Sequence, residues 1–324
     1  AGVILDRAIT TTDGGQTWAT QQLKSPFGVW GDPTLISDSK GNFYYFHLAA
    51  GPTADDWIDR IVLQKSTDGG KTWKASLAIS ENTGVTDVVM DPRNSNVLFA
   101  AAWQRRRHFY TLINGGPESA IYKSVDAGAT WRKLSGNGLP AGELGRIGMA
   151  IAPSEPDIMY ATNEASARLS GLYRSEDAGA NWQKVNDVLA QPMYYAKVYV
   201  DPKQANRIYI PDVLFRVSDD GGRNVRPLGE KNKHVDNHVI WINPENTNHY
   251  LVGCDGGLYE SWDKGANWIY KSNLPVTQFY DISVDDAKPF YHVYGGTQDN
   301  NSLGGPSRTK SVHGILNEDW YVTR

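Results

Sequence analysis

Two aspartates stand where acid chemistry could be done: Asp255, set between glycine-bearing neighbours in GCDGG, and Asp299, in TQDNN. Glycoside hydrolysis uses two carboxyl groups, about 5–5.5 Å apart when a covalent intermediate forms and roughly 6.5–9.5 Å apart when a water must fit between them. Asp255 and Asp299 are the best catalytic pair on this ground, with Glu164 and Asp236 in reserve; the competing reading is that glycine-flanked acids cap strand-to-loop turns. A second grouping is HVDNH, which brings His234, Asp236 and His238 into five residues. On a strand its two histidines would lie ~13 Å apart at ~3.3 Å per residue. One ion held at about 2.1 Å could hardly take both, so hydrogen-bonded rim histidines are expected and no metal or other cofactor is assigned. A third grouping is WQRRR, with Trp103, Arg105, Arg106 and Arg107, which together with Arg146 could form an anion patch, although consecutive arginines usually include solvated or ion-paired members.

Other chemistries lack their residues. There is no G-x-S-x-G, no glycine-rich loop ending in GK[ST] and no H-E-x-x-H. Cys254 is the single cysteine of the 324 residues, so neither an intrachain disulfide nor a four-cysteine zinc site can form. The 32 Lys and Arg against 36 Asp and Glu leave a net charge of −4, which gives nucleic acid or an anionic membrane no electrostatic footprint. No apolar stretch approaches the roughly 18–20 residues that span a bilayer, so membrane insertion is not expected.

The elements that must position these residues follow from a repeat. The octapeptides TTDGGQTW at 11–18, STDGGKTW at 66–73, SVDAGATW at 124–131, SEDAGANW at 175–182 and SWDKGANW at 261–268 share one pattern, and SDDGGRNV at 218–225 is a decayed copy. Their aspartates, Asp13, Asp68, Asp126, Asp177, Asp220 and Asp263, are 55, 58, 51, 43 and 43 residues apart, the spacing of propeller blades of about 40–50 residues. The box reads as a hairpin corner: the carboxylate accepts turn N–H groups, glycine supplies a positive φ, and the tryptophan re-enters the next strand and packs. These six acids are therefore structural.

Between boxes, two apolar alternating runs flank an Asp, Pro or Asn turn, as in TDVVMDPRNSNVLFAAAW from 86 and RIGMAIAPSEPDIMYATNE from 146. Each unit reads as strand A, turn, strand B, loop, strand C, box, strand D. Five units are complete; residues 1–24 supply only C and D, and residues 280–300 only A and B, so the two halves are expected to close a composite sixth blade. Residues 301–324 read as a loop-like tail, and the best helical pattern is ADDWIDRIVLQK at 54–65. The expected architecture is an all-β, six-bladed β-propeller forming one domain over 1–324, with a fragment of a larger ring as the competing account.

Antiparallel alternation places the A–B turns and the boxes at one end of each sheet and the B–C and D–A loops at the other. The second end collects Trp103, Arg105, Arg106, Arg146, Asn163, Glu164, Asp212, His234, Asp236, His238, Asp255, Gln298, Asp299 and Asn300, the expected ligand-binding rim.

The boxes resemble those of the Asp-box, or BNR-repeat, propellers, which include sialidases, xyloglucan-type glycoside hydrolases and the sortilin-type receptor domain. From about residue 80, NTGVTDVVMDP, AAAWQRRR, GELGRIGMAIAP, HVDNHVIWINP, GCDGGLYESWDKGANW and YGGTQDNNSLGGPSR look like a bacterial sortilin-like group often labelled glycosyl hydrolase. Residues 1–75, with FGVWGDPTLISDSKGNFYYFHL, look instead like a sialidase-like group, and the join near Thr72 to Ser80 suggests a chimera. The resemblance implies an extracellular or periplasmic protein. A sialidase mechanism needs an arginine cluster and a tyrosine nucleophile; no Phe-Arg-Ile-Pro segment occurs, and Tyr194 and Tyr195 read as packing residues. Three functional readings stay open: recognition of an extended glycan or peptide ligand, glycoside hydrolysis by Asp255 and Asp299, and a structural fragment without activity.

Overall fold

A computed structural model of the chain describes residues 7–11, 13, 16–22, 31–50, 58–69, 72–108, 110–166, 168–272, 274 and 277–323. The fold is all-β and consists of six similar antiparallel sheets of four or five strands, consistent with a six-bladed β-propeller, together with a two-stranded ribbon. The ribbon is β1 (Arg7–Thr10) with β2 (Ala19–Gln22). Sheet 1 holds β3 (Gly31–Ser37), β4 (Phe43–Ala50), β5 (Ile58–Ser66) and β6 (Lys74–Leu77). Sheet 2 holds β7 (Thr83–Met90), β8 (Leu98–His108), β9 (Thr111–Asn114), β10 (Ala120–Ser124) and β11 (Arg132–Lys133). Sheet 3 holds β12 (Ile147–Ile151), β13 (Met159–Asn163), β14 (Gly171–Ser175) and β15 (Gln183–Asn186). A one-turn helix, α1 (Pro192–Tyr195), leads to sheet 4: β16 (Tyr199–Asp201), β17 (Gln204–Ile210), β18 (Arg216–Ser218) and β19 (Arg226–Pro227). Sheet 5 holds β20 (Asn237–Ile242), β21 (Tyr250–Cys254), β22 (Gly257–Ser261) and β23 (Ile269–Tyr270), and sheet 6 holds β24 (Phe279–Val284), β25 (His292–Thr297), β26 (Ser302–Pro306) and β27 (Tyr321–Val322).

The chain divides into two compact units, Ala1–Ile210 with Ser218–Val225, and Pro211–Val217 with Arg226–Arg324. In the first unit sheets 2 and 3 are apolar on both faces, because each contributes to two cores. Along β12 and β13, Ile147, Met149, Met159 and Ala161 enter a core shared with Phe99, Ala101 and Tyr173. The alternate residues Ala150 and Tyr160 enter another core, with Val198, Ile208 and Ile210. A third core joins Tyr44, Phe46 and Leu63 of sheet 1 to Val88, Leu98, Ala100 and Tyr122 of sheet 2. Period-2 alternation here sorts side chains between two cores rather than between core and water. In the second unit, Ile240, Ile242, Tyr250 and Val252 are buried, whereas Val239 and Trp241 on the opposite face of sheet 5 are exposed.

The boxes form as their sequence demands. Asp126 Oδ1 accepts the Thr130 N–H at 2.8 Å, Oδ2 accepts the Thr130 hydroxyl at 2.6 Å, and Ser124 Oγ donates to Oδ1 at 2.7 Å. The same pattern recurs around Asp177 and Asp263, with Asn181 and Asn267 in the Thr130 place. The boxes at Asp126 and Asp177 also lean on the A–B turns of their own sheets, through Ala127 N–H to Asn96 O and Ala178 N–H to Asp157 O, both at 2.9 Å. Boxes and A–B turns therefore share one end of the sheet. The box tryptophans differ: Trp182 and Trp268 are buried, but Trp18 is 60% exposed.

Three expectations need correction. Residues 1–24 and 280–300 do not make a composite blade among the described residues: β1 pairs with β2 alone, and β26 and β27 complete sheet 6. The segment 301–324 is accordingly not a loop-like tail. Gly304 and Gly305 sit in β26 with aromatic rings lying on them: a Cβ at Gly304 would meet Tyr294 and Tyr321 at 2.9 Å, and one at Gly305 the Trp320 indole at 2.6 Å. Residues 58–65 of the expected helix belong to β5, where β-branched Ile58, Ile61 and Val62 favour a strand; residues 54–57 lie outside the described residues.

Candidate functional site

The first unit gathers Trp103, Arg105, Arg146 and Glu164. Alternation along the long strand β8 sends Phe99 and Ala101 into the core beside sheet 3, so Trp103 and Arg105 follow on the same side. Trp103 is only 5% exposed. The Arg105 guanidinium lies 5.1 Å and the Arg146 guanidinium 5.5 Å from its ring centroid, so one indole takes two cations. Arg146 Nη1 donates to Met193 O at 2.7 Å and to Pro192 O at 3.3 Å, which ties it to α1, a turn that starts with proline at its first position.

The acids near this cluster are engaged elsewhere. Glu164 Oε2 accepts the backbone N–H of Arg146 at 2.9 Å and Oε1 accepts Asn114 Nδ2 at 3.2 Å. Gly145 leaves room for that carboxyl, since a Cβ there would lie 2.0 Å from Glu164 Oε2. Asp87 Oδ1 takes Lys197 Nζ at 2.7 Å and Oδ2 takes the Met149 N–H at 3.0 Å. Burial pushes the Arg105 guanidinium below its ordinary pKa, with Arg107 adding repulsion; burial also pushes Arg146 down, opposed by Asp87 and Glu164. Several buried polar atoms lack a partner among the described residues: Trp103 Nε1, Arg105 Nε, Arg146 Nε and both side-chain heteroatoms of Asn163, a residue with no exposure. Arg106 points the other way across β8 and donates to Asn82 Oδ1 at 2.8 Å. Sequence reasoning named Asn163 but missed Asp87, Lys197 and α1; the only signal for α1 was the proline of QPMYY.

The second unit gathers Asp255, Asp299, His234, Asp236, His238, Gln298 and Asn300. Asp255 follows β21 and Asp299 follows β25, and the Asp299 carboxyl lies near enough to raise the Asp255 pKa. His238 Nε2 is 2.8 Å from Asp255 Oδ1. His234 Nε2 is 3.2 Å from Asp299 O, and Asn300 Nδ2 donates to Asp255 O at 2.7 Å and to Gln298 O at 2.9 Å. Burial, reinforced by Asp299 and Asp236 and opposed by His238, raises the Asp255 pKa. The HVDNH run is not an extended strand. Asp236 has φ +63° and β20 opens only at Asn237 with a register shift, so the three side chains do not share one strand face. The loop is fixed by the buried Lys233, whose Nζ donates to Glu230 Oε1 at 3.0 Å and His234 O at 2.8 Å. Gly256 lets His234 approach, since a Cβ there would lie 2.3 Å from His234 Cβ. Among the described residues no group of three or more His, Cys, Asp or Glu is placed to hold a metal ion, and no helix is long and apolar enough to cross a membrane.

The BNR/Asp-box repeat model matches residues 64–75. An oligoxyloglucan-reducing end-specific xyloglucanase of Emericella nidulans is 29% identical over 206 residues, which is 62% of this chain and 22% of that enzyme. A sialidase of Micromonospora viridifaciens is 31% identical over 170 residues, 43% of this chain and 24% of that protein. The chain thus spans about a quarter or less of the length of these curated relatives. Among solved structures, an ancestral GH74 enzyme superposes with a TM-score of 0.50 at 16% identity, over 92% of this chain and 39% of that one, a likeness of fold alone. Boxes, sheets and relatives together point to the BNR/Asp-box, GH74- and sialidase-like β-propeller superfamily.

Proposed function

We propose that this chain is a carbohydrate-recognition module of the Asp-box propeller type, acting outside the cytoplasm, with the Trp103, Arg105 and Arg146 cluster and the exposed Tyr194 as its ligand contacts. The observation that carries this reading is the pair of guanidiniums on one buried indole at a loop end of the first unit, where half-buried donors stand beside α1, which carries the exposed Tyr194. Sugars are bound by that combination, hydrogen bonds in the ring plane and apolar stacking on the ring face. The relatives named for xyloglucan and sialic acid chemistry favour a glycan over a peptide. Calorimetry against xyloglucan, pectin and sialylated oligosaccharides tests it: Arg105→Ala and Tyr194→Ala each weaken the bound glycan about tenfold or more, and silence toward every glycan overturns the reading.

Hydrolysis by Asp255 and Asp299 is the second reading, favoured by one observation: burial holds Asp255 toward its protonated form, as a general acid needs. New reducing ends that vanish in both Asp255→Asn and Asp299→Asn would support it.

A further inference from the structure

Both ring nitrogens of His234 point at carbonyl oxygens. Nδ1 lies 2.8 Å from Val235 O and Nε2 lies 3.2 Å from Asp299 O. A carbonyl only accepts, whereas a neutral imidazole carries one N–H and one lone pair. The neutral ring can therefore bond one of the two oxygens and must set its lone pair against the other, while the imidazolium donates to both.

The two oxygens belong to different sheets of the second unit. Val235 lies in the loop that leads into β20 of sheet 5, and Asp299 lies in the turn between β25 and β26 of sheet 6, where it takes φ +54°. The ring is confined on the sheet 5 side: a Cβ at Gly256 would lie 2.6 Å from His234 Cγ, and Lys233 Nζ holds His234 O at 2.8 Å. A second tie joins the same turn to sheet 5, from Asn300 Nδ2 to Asp255 O at 2.7 Å. Of these two ties between the turn and sheet 5, the one through His234 depends on a proton.

We propose that His234 is an acid-closed latch: as the imidazolium it clamps the β25–β26 turn to the sheet 5 loop, and as the neutral ring it keeps Val235 O and releases Asp299 O. The bond kept is the shorter one, made to the adjacent residue. The latch contributes fully at acid pH and is lost as pH rises through the ordinary histidine range, about 6.5. It sets where Gln298, Asp299 and Asn300 stand against Asp255, whatever ligand they meet, and so does not rest on the carbohydrate reading. The ionisable groups around the ring are Glu230, Lys233, Asp236 and His238 of its own loop, Cys254, Asp255 and Tyr259 of sheet 5, and Asp299 of sheet 6. Lys233 is paired with Glu230 at 3.0 Å, and burial pushes Cys254 and Tyr259 upward. His238 and the raised Asp255 are the groups a titration must separate from His234.

Nuclear magnetic resonance on the full chain from about pH 5 to about pH 8 tests the latch. It follows the His234 ring nitrogens, the Asp299 carbonyl carbon and, corrected for intrinsic exchange, the Gln298 amide, which donates to Gln278 O at the foot of the turn. The expected result is a ring protonated on both nitrogens at the acid end that loses its Nε2 proton as pH rises. The Asp299 carbonyl shift moves with the same midpoint, and Gln298 protection falls several-fold. The Asp299 response disappears in His234→Gln and persists in His238→Gln and Asp255→Asn. A ring already neutral at the acid end, a neutral ring that keeps its proton on Nε2, or an Asp299 response that survives His234→Gln would overturn the proposal. If His234→Gln fails to fold, the two ring-nitrogen outcomes in the unaltered protein decide it.

Discussion

Arg146 is held by Trp103 on one side and by α1 on the other: its guanidinium lies 5.5 Å from the indole centroid while Nη1 donates to Met193 O at 2.7 Å. The same side chain thus belongs to the proposed site and fastens the loop between sheets 3 and 4. Arg146→Ala is expected to cost about 2 kcal/mol, since hydrogen bonds from a charged donor are worth roughly 1.5–3 kcal/mol. Urea unfolding measures it.

Trp182 is 6% exposed, its Nε1 donates to Gly179 O at 3.2 Å, and its backbone N–H donates to Asn137 O at 2.7 Å. Trp182→Ala is expected to cost about 3–5 kcal/mol through the cavity it leaves. Trp18 occupies the same box position but is 60% exposed, so Trp18→Ala should stay within about 0.5 kcal/mol. A pair of denaturation curves distinguishes the two.

Gly145→Ala would place a Cβ 2.0 Å from Glu164 Oε2. The carboxyl must move off the Arg146 amide, so this variant should change ligand affinity by several-fold while the first-unit core, which Gly145 does not enter, stays folded. Binding titration with parallel circular dichroism reads both effects.

The acids split by the sign of their pH dependence. Hydrogen bonds from Thr130, Asn181 and Asn224 hold Asp126, Asp177 and Asp220 at about 2, below the ordinary 3.8. Their contribution is complete above 3.8 and is lost as pH falls toward about 2. Asp255 is raised instead, by burial and then by Asp299, so the folded state keeps its proton longer and this group's contribution declines as pH rises from 3.8. Carboxyl titration by nuclear magnetic resonance is expected to show the Asp255 pKa lowered in Asp299→Asn; an unchanged or higher value would contradict the influence of Asp299 on Asp255.

Most of the fold was legible because each blade repeats its own instructions. The box names its turn donors and acceptors within eight residues, and the A–B runs alternate around an Asp, Pro or Asn turn. The strand at 302–306 was not legible because the rings that cover Gly304 and Gly305 come from Trp320, Tyr321 and Tyr294, which no local pattern carries. The site was half legible. Strand-end position brought Trp103 and Arg105 to notice, but Asp87 and Lys197, 110 residues apart, meet only once the sheets pack. His234 and His238 were noticed for the right loop and the wrong backbone, since Asp236 takes a left-handed conformation.

The most direct test of carbohydrate recognition is a calorimetric titration of the protein with the glycan panel, repeated on Arg105→Ala. The account predicts saturable binding of at least one glycan, weakened about tenfold or more by the substitution. Saturable binding that Arg105→Ala leaves unchanged, or no binding at all, would contradict it.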